Sequence, residues 1–485
     1  MVKKSEEFER DINTGNGRNQ NDTVEIPSET FDVLMTRLNE VELLETEAGL
    51  EEFAGIIEYF LKYQKPNYEI MREYRDGRNY AIRNLRRKRH RSKSDIRITT
   101  PFIQQAAQTI RDFYISIPVQ YYVDGEEDAS TLDVCKRIDD YNNLSELDFN
   151  LAYDLTLGRA FELHGLEKIN GRLNEKIYKI SPLEMFVIRT ADLSQRMILA
   201  VYLPRFGNTY YPTIYTSKYI YELEPFETVK ELKVDYGRKR LHHYGEVPVV
   251  EYRNGDTRQS DFSASIPLQD AYDYAMSDTA NYRSDFNDNP FLIQAPRKTL
   301  DWFMKNQASM MDANFFALET YVGSDGSSVP ADMRVLSNAR DTAGDEADKK
   351  RLKQNLFSTI GIMDFSDPDV SFGKGLSGTA MKQRLSSMYQ IYNRKITDTS
   401  EGLQRRWRLI ENIHNSILKD ETFNSENLKW KFTESIPRDV IDDLIRYQQA
   451  GIEISNETKL KQVPLVDDVE AELKRLENYD APGEG

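Results

Sequence analysis

The loop Gly373-Lys374-Gly375-Leu376-Ser377-Gly378 carries the glycines of a phosphate cradle. It lacks the GxxxxGK[ST] spacing, in which a lysine and a hydroxyl open the following helix. It therefore reads as a flexible loop before an N-cap at Ser377 or Thr379, with no sign of ATP chemistry. Just upstream, Asp367-Pro368-Asp369-Val370-Ser371 has the alternating oxygens of a calcium loop. The glycine needed at its sixth position is Phe372, and the bidentate carboxylate needed at its twelfth is Gly378, so the main ligand is missing. Among the histidines only His242 and His243 are adjacent, and neighbours on a strand point to opposite faces, which argues against a shared metal. No HExxH or GxSxG is present. Dispersed carboxylates can converge into a nuclease-like metal centre, but no local spacing marks one, and no cofactor or metal is expected.

Two basic features remain. The segment Arg83 to Lys93 has seven Lys or Arg in eleven positions. It reads as a nucleic-acid patch or as a solvated stretch facing an acidic neighbour; no aromatic residue interleaves it, so base stacking has no support. Lys374 is the only basic residue between Ile360 and Lys382 and sits near Asp364, Asp367 and Asp369. Its plain role is a local ion pair.

These residues must be held by elements, and composition sets the scale. The chain has 485 residues, 39% hydrophobic and 30% charged, enough for two to four modules with substantial cores. A formal net charge of −16 argues against tight, static DNA binding, but not against a passage through which DNA slides. No eighteen-residue apolar run exists, so no membrane contact is expected, and MVKKSEEFERD lacks an apolar signal core. Cys135 is the only cysteine, which suits a reducing compartment.

Residues 1–27 are polar and read as disordered; Ser28 is placed to cap a helix through Leu38. A helix is expected over Leu50–Tyr63, with Pro66 past its end. From Pro118 to Val250 short runs rich in Val, Ile and Tyr predict strands of one α+β domain, with a helical insert over Leu132–Gly158 and tyrosines half-buried on the sheet. Gly255–Ser265 reads as a linker. Ser265 is a candidate N-cap for a helix over Pro267–Phe286, with Leu268, Tyr272, Ala275 or Met276, Thr279 and Tyr282 on one face. Asp270, Asp273, Asp278 and Asp285 lie off that stripe. Phe291–Arg340 reads as a small unit of strands and a short helix, inserted at the tip of a helical pair that returns behind a Thr342/Asp345 capping box. After the glycine-bearing loop, Met381, Leu385, Met388, Tyr392, Ile396, Leu403, Trp407, Ile410 and Ile417 predict one apolar face of a helix near forty residues, roughly 60 Å long. Gly402 falls inside it and is expected to mark a bend. A strand, Leu428–Phe432, and helices near Asp439–Ala450 and Val466–Asn478 complete the chain.

Several blocks in this order resemble the portal proteins of tailed bacteriophages, of the type found in long-tailed phages of Gram-positive hosts. They are IRITTPFIQQAAQTIRDFYISIPVQYY, LAYDLTLGRAFELHGL, KISPLEMFVI, VPVVEYRNGD leading into IPLQDAYDYAMSDTANYRSDFNDNPFL, KGLSGTAMKQRL, and IPRDVIDDLIRYQQAGIEISNETKLKQVPLV. The resemblance spans about Glu51 to Glu477.

It implies a non-enzymatic subunit of a closed ring of about twelve copies at one vertex of a virion, assembled in the host cytoplasm. Double-stranded DNA would pass through without sequence specificity. The implied partners are the terminase large subunit, a head-completion or adaptor protein, and capsid and scaffolding proteins. The implied architecture is an N-terminal arm (1–48), an α+β wing (49–260), a stem helix (261–289), a clip (290–340), a returning stem helix (341–360), a tunnel loop (361–378), a long helix with a wing strand (379–437) and a helical crown (438–485). The tunnel loop would present Asp364, Phe365, Asp367, Asp369, Phe372 and Lys374 to DNA. Asp270, Asp273, Asp278, Lys349, Lys350 and Lys353 would line the stem channel, and Tyr321, Asp325, Asp332 and Arg334 would meet the motor. The contrasting reading is a DNA-processing nuclease subunit with a dispersed carboxylate metal site. Size in solution and Mg²⁺-dependent cleavage separate the two.

Overall fold

The computed structural model describes residues 23–85, 94–123, 129–169, 171–233, 238–286, 291–294, 301, 305, 321–322, 324, 326, 328–329, 332–335, 342–364, 385–418 and 423–433. Helices and mainly antiparallel sheets are mixed, an α+β arrangement.

The helix expected from Ser28 to Leu38 does not form. A 3-10 turn, Ser28–Phe31, leads into strand β1 (Leu34–Thr36), which pairs in parallel with a later strand and buries Leu34 and Thr36. Helix α1 (Glu40–Glu45) starts with a reciprocal capping box between Asn39 and Glu42. Thr46 caps α2 (Glu47–Tyr59) by accepting from Gly49 N at 3.0 Å. The helical path does not end near Tyr63. It passes through a π turn, Phe60–Gln64, into α3 (Lys65–Arg75). Pro66 lies in the first turn of α3, where the wider π turn has already shifted the hydrogen-bond ladder and a missing N–H is tolerated.

Next come α4 (Tyr80–Arg83), α5 (Phe102–Ile115), β2 (Gln120–Val123), α6 (Ala129–Asn142) and α7 (Leu144–Leu155). The expected helical insert is thus two helices, jointed at Asn143 in the left-handed region (φ 51°).

The strands are β3 (Arg159–Ile169), β4 (Arg172–Ile180), β5 (Met185–Thr190), β6 (Met197–Tyr202), β7 (Arg205–Phe206), β8 (Thr209–Tyr210), β9 (Thr213–Tyr215), β10 (Tyr219–Glu222), β11 (Lys239–Leu241) and β12 (Val249–Arg253). They form a six-stranded sheet ordered β1-β5-β6-β9-β10-β11, a three-stranded sheet β12-β3-β4, and the hairpin β7-β8. The inner strands β5 and β6 are buried along continuous apolar runs, as a sheet covered on both faces requires. Phe53, Ile57 and Phe60 of the α2 region cover one face. Tyr202, Tyr210, Tyr215 and Tyr219 are half-buried and Tyr221 is buried.

Residues 255–265 are not a loose linker. Arg258 and Phe262 are 2% and 1% exposed, because Arg258 donates to Glu251 of β12 at 3.1 Å and Phe262 enters a core under α3 and α5. A 3-10 turn, Ser263–Ser265, precedes helix α8 (Ile266–Phe286). The buried Ser265 hydroxyl has no hydrogen-bond partner, so its side chain is not the expected N-cap.

Strand β13 (Phe291–Gln294) pairs antiparallel with β16 (Asp332–Val335), and β14 (Tyr321–Val322) with β15 (Ser328–Val329). Helix α9 (Thr342–Ile360) packs along α8. Helix α10 (Ser386–Ile413) has 28 residues, about 42 Å, and runs into a π turn at His414–Leu418. It is shorter than expected because Leu385 takes the N-cap position; Met381 lies outside the described residues. Strand β17 (Leu428–Lys431) pairs antiparallel with β2.

Candidate functional site

Helix α8 is built inside out relative to its sequence pattern. Apart from Ile266 at its first position, its buried residues are polar: Gln269, Asp270 and Asp273 have no exposure, and Ser277 and Asn281 have 4% and 5%. The expected apolar stripe, Leu268, Tyr272, Ala275, Met276, Thr279 and Tyr282, is only half-buried. Three separate segments supply the partners. Asp270 accepts from Val24 N at 2.7 Å and from the Tyr74 hydroxyl at 2.6 Å. Asp273 accepts from Thr100 N and Oγ1 at 3.0 and 2.6 Å, from Gln269 at 3.0 Å and from Asn79 Nδ2. Burial pushes the Asp273 carboxyl above its ordinary value against the pull of these donors.

Helix α10 is fastened by buried charge as well as by its apolar face. Arg406, wholly buried, donates to Glu162 Oε1 and Oε2 of β3 at 3.0 Å and to Asp148 Oδ1 of α7 at 2.5 Å. Glu162 also accepts from the Tyr252 hydroxyl at 2.9 Å and sits 2.8 Å from His164 Nε2. Burial pushes the Glu162 carboxyl up, but Arg406 and His164 outweigh it and hold it at about 2. Glu251 behaves alike: burial is outweighed by Arg189, Arg258 and Arg159, again giving about 2. One turn after Ile391, Lys395 is 1% exposed and donates to Asp261 at 2.6 Å and Asn254 at 2.9 Å, while Asp398 accepts from Gly255 N at 2.9 Å. Helix α10 therefore grips the 254–261 segment that leads into α8. A Cβ at Gly402 would lie 2.3 Å from the Tyr252 ring, so glycine lets α10 lie against β12.

At the end of α9, Gly361 takes φ +85° and closes the helix through Gly361 N and Ile362 N to the Phe357 carbonyl at 3.0 and 3.1 Å. Lys353 reaches back to Asp364 at 2.7 Å and lies 5.3 Å from the Phe102 ring. Among the described residues no group of three or more His, Cys, Asp or Glu is arranged to hold a metal, and no helix is long and apolar enough to cross a membrane.

The model of the family "Phage portal protein, SPP1 Gp6-like" matches residues 55–481. The chain belongs to this phage portal family. It is 25% identical over 399 residues, 75% of this chain and 74% of the relative, to the portal protein of Bacillus phage SPP1. Neither comparison points to a nuclease or to another enzyme.

Within this portal chain the expected site residues separate into groups. Asp270 and Asp273 face the subunit interior, fully buried and hydrogen-bonded, and are not available to line a channel. Backbone and side-chain donors from Val24, Tyr74, Asn79 and Thr100 take up these two carboxylates. Asp278 is exposed. On α9, Lys349 is 5% exposed and paired with Glu346 at 2.7 Å, Lys350 is exposed, and Lys353 is committed to Asp364. Phe365, Asp367, Asp369, Phe372 and Lys374 lie outside the described residues. Tyr321, Asp332 and Arg334 lie in strands β14 and β16, and Asp325 lies outside the described residues. Most of the basic segment, 86–93, and the expected crown, 438–485, also lie outside them. Sequence reasoning missed Arg406, Lys395, Ser277 and Asn281. The one available signal was spacing: Asp273, Ser277 and Asn281 are polar at intervals of four along α8.

Proposed function

We propose that the chain is one subunit of a ring, of about twelve copies, that forms the DNA channel of a virion's portal vertex. Viral DNA enters and leaves through this channel without sequence readout. The terminase large subunit docks during packaging, and a head-completion or adaptor protein takes its place afterwards; capsid and scaffolding proteins surround the ring. The ring assembles in the host cytoplasm and has no enzymatic step. The observation that carries this reading, beside family membership, is the α8–α9 pair. It is anchored at its base by buried polar contacts and holds the small strand unit between its ends, which suits a docking projection on a rigid stem. In this proposal Asp278 and Lys350, exposed on α8 and α9, are the stem candidates for the channel wall. Tyr321, Asp325, Asp332 and Arg334 are the docking candidates, and the 361–378 segment contacts DNA through Lys374 among Asp364, Asp367 and Asp369.

Native mass measurement and negative-stain microscopy test the assembly: a particle near a dozen times the 56.4 kDa chain, with a central hole, is expected. A chain that stays monomeric at micromolar concentration refutes it. Lys374→Glu then tests the loop. Assembly should persist while packaging or DNA retention falls, because each copy turns a cation toward phosphate into an anion. Unchanged packaging at low and moderate salt removes Lys374 from the channel.

A further inference from the structure

The segment Asp95–Thr100 runs along α8 in the opposite direction, and side chains of α8 take up its backbone in a regular ladder. The Thr100 N–H and hydroxyl donate to Asp273, while the Thr100 carbonyl accepts from Asn79 at 3.0 Å. Two residues back, Ile98 N donates to Ser277 Oγ at 2.9 Å. Two further back, Ile96 N donates to Asn281 Oδ1 at 2.6 Å and Ile96 O accepts from Asn281 Nδ2 at 3.0 Å. Ser94 Oγ closes the series on Ser284 Oγ at 2.7 Å. Four helical residues advance about 6 Å and two extended residues about 6.6 Å, so rungs at 273, 277 and 281 match strap positions 100, 98 and 96. Apolar burial is not what holds the strap, since Ile96 is 40% exposed.

We infer that this strap is a register lock that fixes the axial position and rotation of α8 against α3 and α4. The rungs are chemically distinct. Asp273 only accepts, Ser277 takes one N–H, and Asn281 both gives and takes. A slide of α8 by one turn removes the Thr100 and Asn79 donors from the buried Asp273 carboxylate. It also removes the Asn281 amide from the Ile96 carbonyl. An apolar seam has no such preference, because one methyl replaces another; a polar seam is satisfied in one register only. Tyr74 on Asp270 and Asn79 on Asp273 tie the same face to α3 and to the residue preceding α4, so strap, helices and α8 form one keyed joint.

Two measurements on the full chain in its native assembly state test the lock. Ser277→Ala and Asn281→Ala each delete hydrogen-bonding groups without adding volume. Amide exchange at Ile98 in the first, and at Ile96 in the second, should rise at least tenfold, while Arg283→Ala on the exposed side of α8 leaves both unchanged. Nitroxides at Arg72→Cys and Arg283→Cys, in assemblies diluted with unlabelled chain, should give one narrow distance in the parent. In Asp273→Asn/Ser277→Ala/Asn281→Ala the distribution should broaden or shift on the order of one turn, ~5.4 Å. Faster exchange with an unchanged narrow distance means the strap is a passive cover and overturns the proposal. If the triple variant does not fold, the same distance measured in Ser277→Ala and in Asn281→Ala decides: broadening supports the lock, and an unchanged distance in both refutes it.

Discussion

Replacing Gly402 by alanine sets two effects of opposite sign against each other. In the interior of an ordinary helix the change stabilises by up to about 1 kcal/mol, because glycine loses more backbone entropy on folding. At Gly402 the new methyl would lie 2.3 and 2.4 Å from Cε1 and Cδ1 of Tyr252. Real carbon contacts begin near 3.4 Å, so about 1 Å of overlap must be relieved. Tyr252 cannot swing away cheaply. It is 3% exposed and its hydroxyl donates to Glu162 at 2.9 Å, inside the Arg406 network. Overpacking costs about 1–3 kcal/mol and a lost hydrogen bond to a buried carboxylate about 1.5–3 kcal/mol. After the helical gain, a net loss of about 2–4 kcal/mol is expected. Gly55, inside α2 with nothing within 4 Å of its would-be Cβ, is the internal comparison. Gly55→Ala should stabilise by up to about 1 kcal/mol. Urea unfolding at fixed protein concentration reads both. If Gly402→Ala is as stable as the parent while Gly55→Ala gains, the close approach of α10 to β12 is not what selects glycine there.

Arg406→Met leaves Glu162 and Asp148 buried without their shared cation, and a loss of about 3–5 kcal/mol is expected in the same assay; a loss under about 1 kcal/mol contradicts the network's role. Glu162 and Glu251, both held at about 2 against an ordinary 4.5, stabilise the fold above pH 4.5 and lose that contribution as pH falls toward 2. Each shift corresponds to about 3 kcal/mol. Glu251→Gln should therefore make the acid dependence of the urea midpoint shallower between pH 5 and 3, and an unchanged slope counts against the depressed carboxyl. Gly361→Ala places a side chain at φ +85° and 3.3 Å from Ile391 Cδ1. It should cost about 1–2 kcal/mol by thermal or urea unfolding, and no cost means the left-handed closure of α9 is not held.

The sequence by itself determined the alternation of elements. Runs such as Met185–Thr190 and Met197–Tyr202 carry enough β-branched and apolar residues to read as strands, and the structure has them there. The apolar spacing of Met388, Tyr392, Leu403, Trp407 and Ile410 likewise placed them on the buried face of α10. These are local properties, since a period of two or 3.6 is written into neighbouring residues. The family was legible for a related reason: the order of blocks survives in the primary structure, and the match over residues 55–481 agrees with it. What only tertiary structure decided was where polar groups go. Nothing near Asp273 in sequence says that Thr100 and Asn79 will meet it, and nothing near Arg406 says that Glu162 and Asp148 will. A carboxylate off an apolar stripe is assigned to solvent unless a remote donor is known. Hydrogen bonds and ion pairs depend on donors and acceptors brought together across hundreds of residues, 258 for Arg406 and Asp148. That is why burial of Asp270 and Asp273 on α8 is not legible in the sequence, and why the need for glycine at 402 shows only with the Tyr252 ring against it.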